Sequence, residues 1–324
     1  MSKEIEEKLQ KIPVINWLVY HLKRLKLPGF EGLSAYDLSE MYTIGVFKGA
    51  LSSRASATAF SVFLAIFPLL IFLVTLIPFI IPYVRIGNEN FDTQFLQFLE
   101  SFLPTATGDY FEQIYQQIKD QKHGGLLSSA FVLSIFLVAN GVNSIFSAFE
   151  YSYHVELTRN FIKQYAYALM VGLLLSILLI VGAVIYVYFE FYIIEYTTAY
   201  FGGKLGYDQT KSGDLGLQLT KIVFFFLLSY LTASILYYFG TVEGKKAKFF
   251  SIGALVTALL FILTSYLFGV YVEKFARYNE LYGALGGLLI LMFYIWLNSS
   301  ILLLGFELNA TLHTLRKNVK KVEK

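Results

Sequence analysis

The sequence predicts an all-α integral membrane protein, a bundle of six transmembrane helices with both termini in the cytoplasm. Three observations support this prediction: an apolar composition, six long apolar segments, and an uneven distribution of Lys and Arg between the connecting segments. Of the 324 residues, 56% are hydrophobic and 15% are charged, whereas soluble domains are usually about 45–50% apolar and about 25% charged. The composition therefore indicates a protein whose solvent is lipid.

Six segments reach the roughly 20 apolar residues that a membrane-spanning helix needs. Helices are expected because lipid offers the backbone no hydrogen-bonding partner, and the segments lack the alternating pattern of barrel strands. The predicted spans are residues 55–81, 126–149, 165–189, 222–239, 249–272 and 283–308. They form a transmembrane domain, 55–308, between an amphipathic cytoplasmic segment, 1–54, and a basic cytoplasmic tail, 309–324.

The predicted orientation follows from the basic residues, because short loops rich in Lys and Arg remain in the cytoplasm. With the N-terminus inside, most of the 26 Lys and Arg residues fall on inner segments. The turn Lys245-Lys246-Ala247-Lys248 and the tail 316–324 contribute most of this bias. Membrane lipids, including anionic headgroups at the inner surface, are therefore expected partners.

Three segments outside the spans have predictions of their own. Residues 4–27 are amphipathic and are expected either to lie on the inner membrane face or to dock on the bundle. Residues 82–125 are too long for a structureless loop, so a helical hairpin on the outer side between the first two spans is expected. Residues 190–220 are rich in Gly and Tyr and are predicted to form a loop.

Composition also argues against several kinds of chemistry. The chain has no cysteine, which excludes disulfides, thiolate catalysis and Cys-ligated metals. The four histidines, His21, His123, His154 and His313, are widely separated and are not accompanied by clustered carboxylates. The net charge of +3 is small for a nucleic-acid-binding protein. We therefore expect no enzymatic activity, no metal, no cofactor and no nucleic-acid partner.

Polar, glycine and proline residues inside the spans are candidates for a transport pathway or for helix packing. Pro68 removes a backbone N–H and should kink or open the first span, either as a break lining a cavity or as a packing kink. Asn140, Asn143 and Ser147 share one helical face, which should turn toward protein or water. Gly283 and Gly287 form a GxxxG pattern that favours close helix crossing. The complete set is Arg54, Ser61, Pro68, Asn140, Asn143, Ser147, Gly283, Gly287 and Asn298.

A second set lies at the inner ends of the spans and consists of the candidate inner-gate residues Glu150, Arg159, Glu307 and Asn309. Glu307 could pair with Arg54 or with Arg159 at an inner gate. It could equally be a solvated cap on the last helix. The sequence leaves both interpretations open.

Several motifs together resemble the YihY / virulence factor BrkB family. The matching residues are Ala59-Phe60, Phe67-Pro68-Leu69-Leu70, Tyr153, Val155, Glu156, Arg159, Phe161, Tyr271, Asn279, Tyr282-Gly283, Gly286, Gly305, Glu307 and Asn309. The resemblance extends from about Tyr42 to Leu312 and implies a six-helix protein of the bacterial inner membrane. Ala65, Glu150 and Phe306 depart from the family's pattern.

Two functions are compatible with these features. The first is a transporter or flippase-like facilitator for a lipid or another amphiphile. The second is a non-transporting scaffold or partner of an envelope complex. The chain has no Walker motif, and its few span acids lie near span ends, so facilitated exchange is favoured over an ion-coupled pump. The family's old ribonuclease label gains no support, because nuclease chemistry needs clustered acids or a general base.

Overall fold

In the part of the chain that the structure describes, six long helices form a closed ring, and a shorter helix packs mainly against one of them. The computed structural model describes residues 20–21, 23–24, 26, 34–80, 124–152, 154–155, 158–204, 209–275 and 284–322. Their helices are α1 (Ala35–Lys48), α2 (Leu51–Ile80), α3 (Gly124–Glu150), α4 (Phe161–Lys204), α5 (Gln209–Gly240), α6 (Ile252–Phe275) and α7 (Ala284–Val322). Within these ranges there is no β-strand, only an isolated bridge between Lys26 and Ser34.

The helices α2 to α7 are each long and apolar enough to cross a membrane. The qualifying segments are Leu51–Leu69, Val132–Glu150, Phe161–Phe189, Leu219–Gly240, Ile252–Val272 and Gly286–Leu315. Their outward surfaces expose large apolar side chains such as Leu227, Leu263 and Phe293. So extensive an apolar surface is typical of contact with lipid. The described residues therefore confirm an all-α fold with six helices that are long and apolar enough to span a membrane, while the orientation of the termini stays a prediction.

Several helices continue beyond the predicted spans. Residues 190–220 were expected to form a loop, but α4 continues to Lys204 and α5 begins at Gln209, so this prediction is wrong for most of the segment. Tyrosine, glutamate and threonine after Phe189 are compatible with a helix. Hydropathy therefore locates the end of the span and not the end of the helix. Similarly, α7 continues through the predicted tail to Val322.

Each spanning helix packs against its neighbours in sequence, and the ring closes where α7 packs against α2. The short connections 151–160 and 241–251 favour this arrangement, since helices joined by short loops pack side by side. The six helices consequently surround a common interior. The end of the ring at these two connections carries Arg159, Lys163, Lys245 and Lys248, and we call it the basic end.

Helix α1 packs mainly against α7. It begins with a capping box, in which the Ser34 hydroxyl accepts from the Asp37 N–H and the Asp37 carboxylate accepts from the Ser34 N–H. It ends in a tight turn at Gly49 and Ala50, where Ala50 has a positive φ of 47°. This turn leads directly into α2 and brings α1 to the basic end.

Some predictions fall on residues outside the described ranges. Of the amphipathic segment 4–27, the structure describes only Tyr20, His21, Lys23, Arg24 and Lys26. The predicted outer hairpin, 82–125, is undescribed except for the first two residues of α3. Both remain predictions.

Candidate functional site

A cavity of about 580 Å³ lies inside the ring and is lined by residues from all six spanning helices. Its wall is mostly aliphatic and aromatic. Representative residues, one from each helix in order, are Val62, Ile145, Leu178, Leu228, Phe261 and Ile295. The volume falls in the range of about 300–1,000 Å³ that is typical of ligand pockets. The ring therefore encloses a space large enough for a small ligand or part of a lipid.

The cavity is long in the direction of the helices. Its lining residues on α5 extend from Lys221 to Leu236, which corresponds to about 22 Å of helix. A bilayer core is about 30 Å thick. Two other lining residues, Ile222 and Tyr266, are 51% and 71% exposed. The cavity thus extends through much of the membrane depth and reaches the apolar outer surface of the ring near these two side chains.

A few neutral polar groups interrupt the apolar wall. The hydroxyls of Ser265 and Tyr294 lie 2.7 Å apart, and the Asn298 amide donates to the Tyr294 carbonyl at 2.9 Å. The Thr58 side chain is buried, and its hydroxyl oxygen has no partner in the protein. A buried hydroxyl without a partner is costly unless water or a ligand satisfies it. The wall is therefore suited to occasional polar contacts inside an otherwise apolar space.

Toward the basic end, the cavity is followed by a cluster of three buried aromatic rings. Phe149 of α3 and Phe306 of α7 stack with their ring centroids 4.1 Å apart, and Tyr237 of α5 packs against both. The Tyr237 hydroxyl lies 2.6 Å from that of Thr257 and donates to the Leu302 carbonyl at 2.7 Å. Leu302 lines the cavity, so these rings close the interior just beyond it.

A buried ion pair lies beyond the aromatic rings. Arg54 of α2 and Glu307 of α7 are 2.5 Å apart, and their exposed side-chain fractions are only 8% and 0%. Arg54 also donates to the Ala148 carbonyl at 2.6 Å, and the Ser152 hydroxyl donates to Glu307 at 2.8 Å. These bonds supply most of the partners that a buried charge pair requires, while the Nε atom of Arg54 is buried without one. Of the two pairings considered for Glu307, the structure contains the one with Arg54.

Helix α1 covers this ion pair. A Cβ atom at Gly45 would lie 2.8 Å from the His154 ring and 3.1 Å from Glu307. Because glycine has no side chain, α1 can approach His154 and Glu307 this closely. The Tyr42 hydroxyl donates to the Leu304 carbonyl at 3.3 Å. Burial, and secondarily the charge of Glu307, raise the pKa of Tyr42 to about 12. Tyr42 therefore remains a neutral donor at physiological pH.

Glu150 and Arg159 form a separate contact, away from Glu307. The Arg159 guanidinium donates to the carbonyls of Phe239 and Thr241, at 2.6 and 2.7 Å, and caps the C-terminus of α5. Its backbone N–H donates to Glu150 at 3.0 Å. Burial lowers the pKa of Arg159, and the Glu150 carboxylate opposes this shift. The pair fixes the connection between α3 and α4 against the end of α5.

Asn309 holds the start of α6. Its side-chain oxygen accepts from the Gly253 N–H, and its amide donates to the Ser251 hydroxyl, both at 2.8 Å. A Cβ at Gly253 would meet the carbonyl of Gly305, so the two backbones touch at this crossing. The four candidate inner-gate residues thus occupy three separate contacts at the basic end.

The structure does not bring Asn140, Asn143 and Ser147 to the cavity. Asn140 is exposed, and the other two are half-buried. The side-chain oxygen of Asn143 is buried without a partner. The Ser147 hydroxyl lies 2.9 Å from the Gln164 amide, which joins α3 to α4. The buried side of α3 instead carries Val142, Phe146 and Phe149.

The remaining predicted residues have varied positions. Pro68 is buried, and α2 continues through it without interruption, so the helix is not broken there. Ser61 donates to the Ala57 carbonyl of its own helix at 3.2 Å. Gly287 is buried, while Gly283 lies outside the described residues. Asn298 is the residue of the predicted pathway set that lines the cavity.

Several residues of the site were not selected from the sequence. Lys221 begins the α5 side of the cavity, and Tyr237 and Thr257 join α5, α6 and α7 at its closed end. Lys221 directly precedes the predicted span 222–239, so hydropathy assigns it to a connection and gives no signal that it lines the cavity. The Tyr237–Thr257 contact has no signal either, because its residues lie on different helices.

The sequence also matches a known protein family. A sequence model described as Virulence factor BrkB matches residues 47–324. This chain belongs to the virulence factor BrkB family. The part of the chain that matches the BrkB model contains all six spanning helices, the cavity and both partners of the Arg54–Glu307 ion pair, whereas most of α1 precedes it.

Three relatives match over most of their length. The ribonuclease-like protein YfkH of Bacillus subtilis (strain 168) is 28% identical over 271 residues, covering 82% of this BrkB-family chain and 91% of YfkH. A UPF0761 membrane protein of Coxiella burnetii (strain Dugway 5J108-111) is 26% identical over 280 residues, covering 84% and 91%. The UPF0761 membrane protein NTHI0384 of Haemophilus influenzae (strain 86-028NP) is 23% identical over 274 residues, covering 85% and 94%. No solved structure matches the chain.

Proposed function

We propose that this BrkB-family membrane protein is a facilitator that lets a lipid or another amphiphile cross the bacterial inner membrane. The observation that supports this proposal is the cavity inside the ring, which all six spanning helices line. In a protein that served only as a scaffold, side chains would be expected to fill such an interior, because empty space sacrifices packing contacts.

The chemistry of the wall favours an amphiphile as substrate. Aliphatic and aromatic side chains suit an acyl chain, and the hydroxyls of Thr58, Ser229 and Thr232 offer contacts to a polar group. The exposed rim at Ile222 and Tyr266 gives lateral access from the lipid. A hydrophilic solute would find too few partners along this path.

Closure at one end favours alternating access. The rings of Phe149, Tyr237 and Phe306 and the Arg54–Glu307 pair fill the ring at the basic end. We propose that the basic end faces the cytoplasm, so that the cavity is accessible from the other side of the membrane and from the bilayer. Passage then requires the aromatic rings and the ion pair to move apart.

Nuclease activity is not part of this proposal. YfkH carries a ribonuclease-like name, but among the described residues of this chain no group of three or more His, Asp or Glu side chains could hold a metal ion. The buried Glu307 carboxylate is paired with Arg54 and accepts a hydrogen bond from the Ser152 hydroxyl. The proposal is therefore a transport function without catalysis.

A bulky side chain in the cavity tests the proposal. We expect Ser229→Phe to slow the movement of a labelled phospholipid between leaflets of reconstituted vesicles by about tenfold or more, since each 1.4 kcal/mol or so added to a barrier slows passage tenfold. Ser229 lines the cavity on α5. The movement is measured as loss of label fluorescence when a membrane-impermeant quencher is added outside.

The matched control is Leu227→Phe on the same helix. Leu227 is 56% exposed and does not line the cavity, so this variant should move lipid at the wild-type rate. Vesicles in which the wild-type protein moves no lipid above the protein-free background would contradict the proposal and favour the scaffold. Equal rates for both variants would show that lipid takes another path.

A further inference from the structure

We infer that the substrate of the cavity is a phospholipid with an anionic headgroup, recognised by Lys221. This inference rests on the proposed function and names its substrate class. Among the described residues that line the cavity, Lys221 is the one charged side chain, and none is acidic. A cation in an otherwise neutral wall favours a negatively charged ligand over a neutral one.

The position of Lys221 also points to a functional role. It is the third residue of the apolar segment Leu219–Gly240, so it lies near one end of the span. A lysine near the end of a span can extend its amine to the membrane surface, where lipid headgroups lie. Lys221 also interacts with other groups of the protein, so the inference rests on its charge and its place in the wall.

Neutral polar groups continue from Lys221 into the cavity. Ser229 and Thr232 lie on the same face of α5 as Lys221. Across the cavity, the Ser265 and Tyr294 hydroxyls form a pair. A headgroup that leaves Lys221 would therefore meet hydroxyl groups and no second charge among the described lining residues. Contacts that are favourable but individually weak let a permeant both enter and leave.

The surrounding wall accommodates the rest of such a lipid. Ile222 lies beside Lys221 in sequence and is half exposed to the outer apolar surface of the ring. A lipid could thus place its headgroup at Lys221 while its acyl chains remain against Leu228, Phe225 and the bilayer. A zwitterionic phospholipid would bring a cationic group toward the lysine, at an electrostatic cost.

Two measurements test this assignment on the full chain. In vesicles, the wild-type protein should move labelled phosphatidylglycerol about tenfold faster than phosphatidylcholine carrying the same label, since a hydrogen-bonded charge is worth about 1.4 kcal/mol or more. Lys221→Gln should slow phosphatidylglycerol to the phosphatidylcholine rate, whereas Lys221→Arg should keep the preference. Native mass spectrometry of the purified protein should show the same order for bound lipid.

The control is Lys163→Gln, which removes an exposed lysine at the basic end that does not line the cavity. It should leave both the preference and the binding unchanged. Equal movement and binding of the two lipids by the wild-type protein would overturn the inference, as would a preference that persists in Lys221→Gln. Selective binding that depends on Lys221 without any lipid movement would support the headgroup site and overturn the proposed function. Lipid movement without selectivity would support the proposed function and overturn the headgroup site.

Discussion

The Glu307→Leu variant is expected to lose about 3–5 kcal/mol of stability, because it leaves the Arg54 guanidinium buried without its counter-ion. Both side chains are almost fully buried, and Ser152 would also lose the carboxylate to which it donates. The loss should appear as a lower midpoint of thermal unfolding for the purified protein in detergent. It should also appear as faster loss of folded protein during purification.

The double variant Arg54→Leu with Glu307→Leu separates the charge from the packing. Removing both charges eliminates the uncompensated cation, so the double variant should be more stable than Glu307→Leu alone. Glu243→Gln, at the connection between α5 and α6, serves as the control and should unfold at the wild-type midpoint. An unchanged midpoint in Glu307→Leu would contradict the ion pair as a stabilising contact of the closed basic end.

The Gly253→Ala variant is expected to destabilise the protein by about 1–3 kcal/mol or more, because an added methyl group would collide with backbone that cannot move aside. A Cβ at Gly253 would meet the Gly305 carbonyl, and one at Gly305 would lie 2.8 Å from the Gly253 carbonyl oxygen and 2.6 Å from the Tyr237 hydroxyl. Separating α6 from α7 here would also disturb the contact between Tyr237 and Thr257. Thermal unfolding in detergent measures the effect.

Gly269→Ala provides a control on the same helix. Apart from its own helix backbone and chain neighbours, nothing lies within 4 Å of a Cβ built at Gly269, so this variant should be at least as stable as the wild type. Equal unfolding midpoints for Gly253→Ala and Gly269→Ala would contradict the close crossing of α6 and α7.

The number of spanning helices could be predicted from sequence because lipid imposes length and hydropathy on each span independently. Even the short predicted span 222–239 corresponds to a qualifying segment, Leu219–Gly240. The helix ends were harder to predict from the sequence, because α4 continues past Phe189 into residues that hydropathy alone assigns to a loop. The polarity of the side chains indicates whether a segment lies in lipid or in water. It does not indicate where the helix ends, because the backbone stays helical as long as its hydrogen bonds continue.

The site was only partly predictable, for a geometric reason. Spacing shows that Asn140, Asn143 and Ser147 share a face of α3, but it does not show which way that face turns. The neighbouring helices decide this, and they bury a different face, which carries Phe146 and Phe149. Contacts such as Arg54 with Glu307, or Gly253 with Gly305, join residues far apart in sequence. The pairing of Arg54 with Glu307 was one of two pairings that the sequence left open. The contact between Gly253 and Gly305 was not predicted.

The claim that lipid passes through the cavity is tested most directly by a reversible block. Because the chain has no cysteine, Thr232→Cys places a single thiol on the cavity wall. A bulky methanethiosulfonate reagent then forms a disulfide at this thiol, and a reductant removes it, so each sample is its own control for folding.

We expect lipid movement to fall when Thr232→Cys is modified and to recover on reduction, while modified Leu227→Cys on the outer surface keeps the unmodified rate. Undiminished lipid movement by fully modified Thr232→Cys would contradict the cavity as the path.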